Sequence, residues 1–225
     1  MCLYPVFLSL TKSDVLVAGA GKVGRRKIAS LAEAQARSIL VIDPNLCAET
    51  KQELESIPGV RLLARRLEAT DLAGKALVFA ATDDEKENAR IAGLCASASV
   101  PCNVADDPDN SSFLVPAQAR AGDLTAAFST GGRSPALAGR IRREAEDWLR
   151  DNYGPLLIFM GRLRPLVLEL DLAPEKNGEL FRSVVYSGLG DALCRRDRDT
   201  SRECAAGLLP SALHGRIEEL LHGLC

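Results

Sequence analysis

Histidine is almost missing from this 225-residue chain: there are two, His214 and His222, both near the C-terminus. The seven cysteines (2, 47, 95, 102, 194, 204 and 225) are scattered, and no two form a C-x-x-C pair. That supply fits neither a structural zinc site nor, being odd in number, a closed disulfide framework. Incidental or buried thiols in a reducing compartment are the expected state. His214 and His222 are eight residues apart. Two ligands on one helix are shared at i, i+4, so ordinary surface histidines are expected and no protein-held metal site. Long hydrophobic runs are missing too. No stretch approaches the ~20 residues of a membrane span, and Met1-Cys2-Leu3-Tyr4-Pro5 lacks the basic start of a signal peptide. Charge of one sign is not in excess either. Twenty-eight Lys and Arg stand against thirty Asp and Glu, a net charge of −2. No global field recruits nucleic acid or an anionic membrane surface. A soluble, cytoplasmic protein with neither nucleic-acid nor membrane partner is expected.

What is present allows one sizeable core and a second small one, at 47% hydrophobic residues. The most informative stretch is Asp14-Val15-Leu16-Val17-Ala18-Gly19-Ala20-Gly21-Lys22-Val23-Gly24. A short apolar run enters three glycines spaced G-x-G-x-x-G, and a helical pattern leaves them. Gly19 permits a tight turn, Gly21 lets backbone approach a pyrophosphate, and Gly24 lets helix and strand pack closely. The helix N-terminus then offers N–H groups and a positive dipole end to the anion. A second apolar run, Ser38 to Ile42, ends in Asp43, 19 residues after Gly24. An acid about 20 residues beyond the glycines accepts hydrogen bonds from the adenine ribose. It also repels a 2′-phosphate, so NAD is favoured over NADP. Arg25, Arg26 and Lys27 keep NADP open, although a solvated helix face near the phosphates is their expected role.

Further along, Tyr4 to Leu10 could start a sheet or clamp its edge, and Cys47–Ile57 reads as a short helix stopped at Pro58-Gly59. Val60–Ala64, Leu77–Thr82 and Val100–Ala105 read as strands, with a helix over 85–98. Strands alternating with helices predict a parallel sheet with right-handed crossovers. Ligands of such sheets sit beyond the carboxyl ends of the strands. There the chain places Gly19, Asp43, Thr82-Asp83 and Asn103/Asp106. Phe113–Ala117 and Leu124–Ser129 predict two strands joined near Ala121-Gly122-Asp123. Ser134-Pro135 opens a helix from Ala136 to about Asn152. Residues 153–225 carry leucine-rich amphipathic stretches and predict a small helical domain. Within them Arg195-Arg196-Asp197-Arg198-Asp199 reads as a solvated turn.

Taken together, these motifs resemble the siroheme synthase N-terminal family, the precorrin-2 dehydrogenases, over roughly residues 1–150. The glycine motif is generic. Specificity comes from the ordered set Phe79-Ala80-Ala81-Thr82-Asp83-Asp84, Asn88, Asn103-Val104-Ala105-Asp106, Phe113, Pro116-Ala117 and Ser129-Thr130-Gly131-Gly132-Arg133-Ser134-Pro135-Ala136-Leu137-Ala138, with Tyr4-Pro5-Val6-Phe7-Leu8 before them. The resemblance implies an α/β fold with a Rossmann-type NAD-binding domain over 1–112. It implies a small α+β dimerisation segment over 113–150 and a helical C-terminal domain over 151–225. It implies a homodimer that oxidises precorrin-2 to sirohydrochlorin with NAD, in some members followed by insertion of ferrous or cobaltous ion. Larger relatives add a methyltransferase domain, and this chain ends before one, so that activity is expected to be absent.

Position by position, the resemblance puts Lys22 and Val23 with the glycines at the pyrophosphate and Asp43-Pro44 at the adenosine. It puts Thr82, Asp83 and Asn103 on the nicotinamide side, with Asp106 as the catalytic aspartate and Asp107 as the alternative carboxylate. Thr130 falls in the tetrapyrrole cleft, with Gly131, Gly132 and Arg133 beside it. A substrate bearing eight carboxylates calls for cations, and Arg fits carboxylates bidentately. Arg120, Arg133, Arg140, Arg142 and Arg143 flank the expected site, Arg133 being the favoured contact. Oxidation to the more conjugated ring removes a hydride and a proton. No side chain accepts a hydride, so NAD must, while a carboxylate can take the proton. The competing reading is a non-catalytic NAD-sensing Rossmann module, which needs neither Asp106 nor the Gly131-Gly132 segment.

Overall fold

The computed structural model describes residues 3–225, so Cys2 lies outside the described residues. The chain forms two compact units, one ending at Val115 and one spanning Pro116–Cys225. The first holds β1 (Asp14–Ala18), α1 (Lys22–Glu33), β2 (Ser38–Ile42), α2 (Ala48–Glu55), β3 (Val60–Leu63), β4 (Lys75–Ala80), α3 (Glu85–Ser97) and β5 (Cys102–Val104). A 3-10 turn over Ala69–Leu72 leads into β4. The strands form one parallel sheet in the order β3-β2-β1-β4-β5.

The central position of β1 follows from its composition. Val15 and Val17 pack on one face with Ile28 and Leu31 of α1 and Phe79 of β4. Leu16 and Ala18 pack on the other with Val78, and with Ile91 and Cys95 of α3. A strand covered on both faces must be apolar at consecutive positions, as this one is. Burying one such Leu or Val contributes about 1.5–3 kcal/mol.

The second unit opens with an antiparallel hairpin, β6 (Ala117–Ala121) and β7 (Leu124–Phe128), turning at Gly122-Asp123. There follow α4 (Pro135–Leu168), α5 (Pro174–Val185), α6 (Leu189–Cys194), α7 (Arg198–Leu208) and, after a 3-10 turn over Ser211–Arg216, α8 (Ile217–Leu221). Their core is a separate one, built around Phe159, Leu163, Leu189, Leu193 and Leu220.

The structure corrects three sequence expectations. The first strand of the hairpin begins at Ala117, not Phe113. Pro116 has no N–H to give a ladder, and Phe113 turns inward, its ring meeting Phe79 edge-on with centroids 5.5 Å apart. The helix opened by Ser134-Pro135 runs to Leu168 rather than to Asn152, through Gly154-Pro155 and Pro165. An interior proline removes a backbone hydrogen bond and crowds the preceding turn. The apolar stripe Leu156, Phe159, Leu163, Leu166 continues past it into the core and offsets that loss. Residues 3–9 form no strand, and the chain joins the core only at Leu10, whose carbonyl accepts from Ser13 and Arg37 N–H at 2.9 and 3.0 Å. In the basic–acidic run, Asp197 caps α7 through Thr200 N–H. His214 and His222 are exposed and lie on different elements, the 3-10 turn and the end of α8.

Asp14 ties the entrances of β1 and β2 together. Its carboxylate accepts from Arg37 Nε at 2.8 Å and Ser38 Oγ at 2.7 Å. These hydrogen bonds, the Arg37 guanidinium first, hold its pKa well below the usual carboxylate range. A folded pKa below the unfolded one adds stability above the unfolded value, about pH 4, that drains away as pH falls further. Urea midpoints should therefore drop more steeply between about pH 4 and 2 for the wild type than for Asp14→Asn. Identical acid profiles would show that the pair adds nothing.

Candidate functional site

The glycine turn between β1 and α1 is fixed by backbone contacts. Gly19 has φ +95°, a left-handed conformation, and a Cβ there would run into the Ala81 carbonyl. A Cβ on Gly24 would run into the Gly19 carbonyl. Those two glycines are demanded by the fold itself. Gly21 is different: a Cβ there would meet nothing within 4 Å. The fold leaves that space empty, as a site for a close-approaching ligand requires. Gly21 is also the N-cap of α1, and no side chain caps this helix. By contrast, Asp84 caps α3 by accepting from Lys86 and Glu87 N–H. The first amides of α1 are thus left for an anion.

The turn opens onto a cavity of about 480 Å³ at the carboxyl ends of β1, β2, β3 and β4. Gly19, Gly21, Asp43, Pro44, Thr82 and Asp83 line it, as the sequence places them. Asp43 is knitted into the turn: its Oδ2 accepts from Ala20 N–H at 2.7 Å and its Oδ1 from Asn45 N–H at 2.8 Å. A carboxylate offers about four lone-pair sites, so two remain for ribose hydroxyls. Sequence reasoning missed Arg65, Arg66 and Leu67 on this wall. They follow β3, so extending the strand-end rule to Val60–Leu63 would have found them. Arg65 is engaged by Asp71 at 2.7 and 2.8 Å. Arg25 lines the cavity too and pairs with Glu53 at 2.9 Å. Lys22, Val23 and Gly24 belong to the first turn of α1, outside the lining.

At the end of β5, Asn103 is buried and its Nδ2 donates to the Phe113 carbonyl at 3.0 Å. Its amide holds the chain leaving the sheet. Asp106 sits in the next turn, exposed, with φ +60°. Asp107 spends its carboxylate on the same turn, accepting from Asn110 N–H at 3.1 Å and Asn110 Nδ2 at 2.6 Å. Those bonds hold its pKa below the usual range. Asp107 is thus occupied by its own turn, and Asp106 makes no such bond. Lys27 is not simply a solvated helix residue. It is half-buried with Nζ 5.6 Å from the centre of the Phe79 ring. Burial lowers its pKa, Arg26 adds to that, and the charge of Asp106 opposes it.

Thr130, Gly131, Gly132 and Arg133 belong to the second unit, in the turn between β7 and α4. Gly131 and Gly132 have φ +61° and +81°, which no side chain adopts cheaply. Thr130 Oγ1 accepts from Ser134 N–H at 3.1 Å, and Ser134 Oγ caps α4 through Leu137 N–H at 3.2 Å. Arg133 is exposed. Arg140 and Arg142 pair with Glu144 and Glu146, both at 2.7 Å. Among the described residues no cluster of His, Cys, Asp and Glu could hold a metal ion, and no helix is long and apolar enough to cross a membrane.

A parallel sheet in this order, an uncapped helix over a glycine turn and an acid at the end of β2 define a Rossmann-type dinucleotide-binding protein. Residues 6–117 match the family model described as "Putative NAD(P)-binding". Over 216 residues the chain is 37% identical to a siroheme synthase of Thioalkalivibrio sulfidiphilus, covering 96% of this chain and 44% of that protein. It is 32% identical over 223 residues to siroheme synthase 1 of Aeromonas salmonicida, covering 97% of this chain and 47% of the other. The chain thus spans less than half the length of these relatives. Among solved structures, "SirC, precorrin-2 dehydrogenase" shares the fold with a TM-score of 0.70 and 24% identity, over 92% of this chain and 98% of that one. Over nearly its whole length the chain is a homologue of the siroheme synthases. The matched model is one of NAD(P)-binding, and the open space at Gly21 and the unused lone pairs of Asp43 fit a dinucleotide.

The two kinds of glycine should separate in experiment. Gly21→Ala should keep its thermal midpoint and weaken NAD binding by calorimetry at least about tenfold, since its methyl enters ligand space. Gly19→Ala should lose about 1–3 kcal/mol of stability from strain alone. Wild-type NAD affinity in Gly21→Ala would place the ligand elsewhere.

Proposed function

We propose that this chain oxidises precorrin-2 to sirohydrochlorin with NAD, in siroheme biosynthesis. The observation that carries the reading is an unengaged carboxylate, Asp106, at the end of the strand next to the wall of an NAD cavity. NAD supplies the hydride acceptor. The protein's own groups do the rest. The glycine turn and α1 bind the pyrophosphate, Asp43 and Pro44 the adenosine, and Thr82, Asp83 and Asn103 the nicotinamide side. Asp106 takes the proton that leaves with the hydride, so that precorrin-2 and NAD⁺ give sirohydrochlorin, NADH and a proton.

Thr130, Gly131, Gly132 and Arg133 are assigned to the tetrapyrrole, Arg133 pairing with its carboxylates. The same reading makes 1–112 the NAD domain, 113–150 the dimerisation segment of a homodimer and 151–225 a helical domain. It places the protein in the cytoplasm, in keeping with the free cysteines among the described residues. Insertion of ferrous or cobaltous ion into sirohydrochlorin would use the same carboxylate to accept pyrrole N–H protons.

Incubation with precorrin-2 and NAD should produce the sirohydrochlorin spectrum together with NADH. No spectral change with competent substrate and bound NAD would leave a nucleotide-sensing module instead. Asp106→Ala should keep NAD affinity and lose about 10²- to 10⁴-fold in turnover, the usual range for a general base. Asp107→Ala should lose far less. For metal insertion, loss of sirohydrochlorin absorbance on adding ferrous or cobaltous ion should outpace the rate without enzyme, and equal rates would mark a dehydrogenase alone.

A further inference from the structure

The turn between β4 and α3 is held by a buried side chain that the reaction does not yet use. Asn88 lies on α3, 5% exposed. Its Oδ1 accepts from Thr82 N–H at 3.1 Å and from Thr82 Oγ1 at 2.7 Å, while its Nδ2 donates to the Thr82 carbonyl at 3.1 Å. The main chain fixes which way this amide faces. A flipped amide would set NH₂ against N–H and oxygen against oxygen.

That orientation determines what Thr82 can do. Its hydroxyl carries one proton, and the acceptors within reach are Asn88 Oδ1 and the Asp84 carbonyl at 3.1 Å. Asp84 N–H in turn donates to Oγ1 at 3.3 Å. The proton is therefore committed inside the turn. A hydroxyl has two acceptor lone pairs, and one is left over on a residue that lines the cavity.

We infer that Asn88 is a positioning residue that makes Thr82 Oγ1 an obligate hydrogen-bond acceptor for a donor group of the bound dinucleotide, a ribose hydroxyl or the carboxamide NH₂. The inference rests on the NAD-dependent reading above and adds a residue to it. Asn88 touches no ligand; it acts through Thr82. A free threonine hydroxyl could donate or accept and would bind donors and acceptors alike. One whose proton is already used discriminates between them, because an acceptor brought against it is left unpaired.

The test is a coupling measurement. NAD affinity is read by calorimetry and thermal midpoint by scanning, for the full chain and for Thr82→Ser, Thr82→Val, Asn88→Ala and the double variant. Thr82→Val and Asn88→Ala should each weaken NAD binding about tenfold, the worth of one hydrogen bond, and Thr82→Ser should restore it. Adding Asn88→Ala to Thr82→Val should cost no further affinity while still lowering the midpoint. A purely structural Asn88 would instead give losses of affinity that add, and that result overturns the inference. Asn88→Leu, which keeps the size and removes the acceptor, replaces Asn88→Ala if the latter does not fold. An NAD analogue with acetyl in place of the carboxamide separates the two donors. If the carboxamide is the partner, Thr82→Val costs the analogue nothing; if a ribose hydroxyl is, the analogue suffers the same loss. Failure of the wild type to bind NAD at all overturns the dinucleotide reading and this inference together, whereas wild-type binding with additive losses overturns this inference alone.

Discussion

Everything at the carboxyl edge of the sheet depends on how closely the glycine turn is packed. Gly24 of α1 lies against the Gly19 carbonyl, and Gly19 lies against the Ala81 carbonyl beyond β4, with no room for a methyl at either contact. The turn is drawn to its neighbours by hydrogen bonds as well. Gly19 N–H donates to Ile42 O and Ala81 N–H to Ala18 O, at 2.9 and 2.8 Å. Ala20 N–H adds its bond to the Asp43 carboxylate. The ends of β1, β2 and β4 are thus one knitted unit. A helix seated this tightly has its first amides and positive dipole end fixed in direction before any anion arrives. Pre-organisation of this kind lowers the ordering cost of binding.

The carboxylates around the site are sorted by their partners. Asp84 is consumed by the cap of α3, Asp107 by Asn110 and Asp71 by Arg65. Asp43 is shared between the fold and the cavity. Asp106 alone of the pair after β5 stands unengaged, in a left-handed conformation. Strain of about 1–3 kcal/mol at a non-glycine residue in that region is kept where the surroundings impose it. In the proposed reaction the division of labour follows from this sorting. The dinucleotide takes the hydride, and Asp106, the unengaged carboxylate of the pair after β5, takes the proton.

Much of this was legible in the sequence because it is local. An unbroken apolar run from Val15 to Ala18 means a strand covered on both faces. Glycines at fixed offsets mean a turn over a helix N-terminus, and an acid 19 residues later means a ribose partner. The alternation that follows means a parallel sheet whose strand ends converge. Where the reading slipped, a neighbour distant in sequence had decided the matter. Phe113 left the hairpin because Phe79 offered its ring an edge-on contact. α4 ran on through two prolines because its stripe was covered by the second core. Lys27, an apparent member of a solvated basic triplet, was drawn over Phe79.

The sequence by itself therefore determined the architecture of the first unit and its dinucleotide-binding class. Periodicity, turn chemistry and motif order are properties of adjacent residues. Only the tertiary structure decided which of two neighbouring aspartates is hydrogen-bonded, which glycines of the turn have no room for a methyl, and that a buried asparagine holds a threonine hydroxyl. Those are questions of which donor meets which acceptor, and hydrogen-bond partners are settled by distances of a few tenths of an ångström that no spacing along the chain encodes.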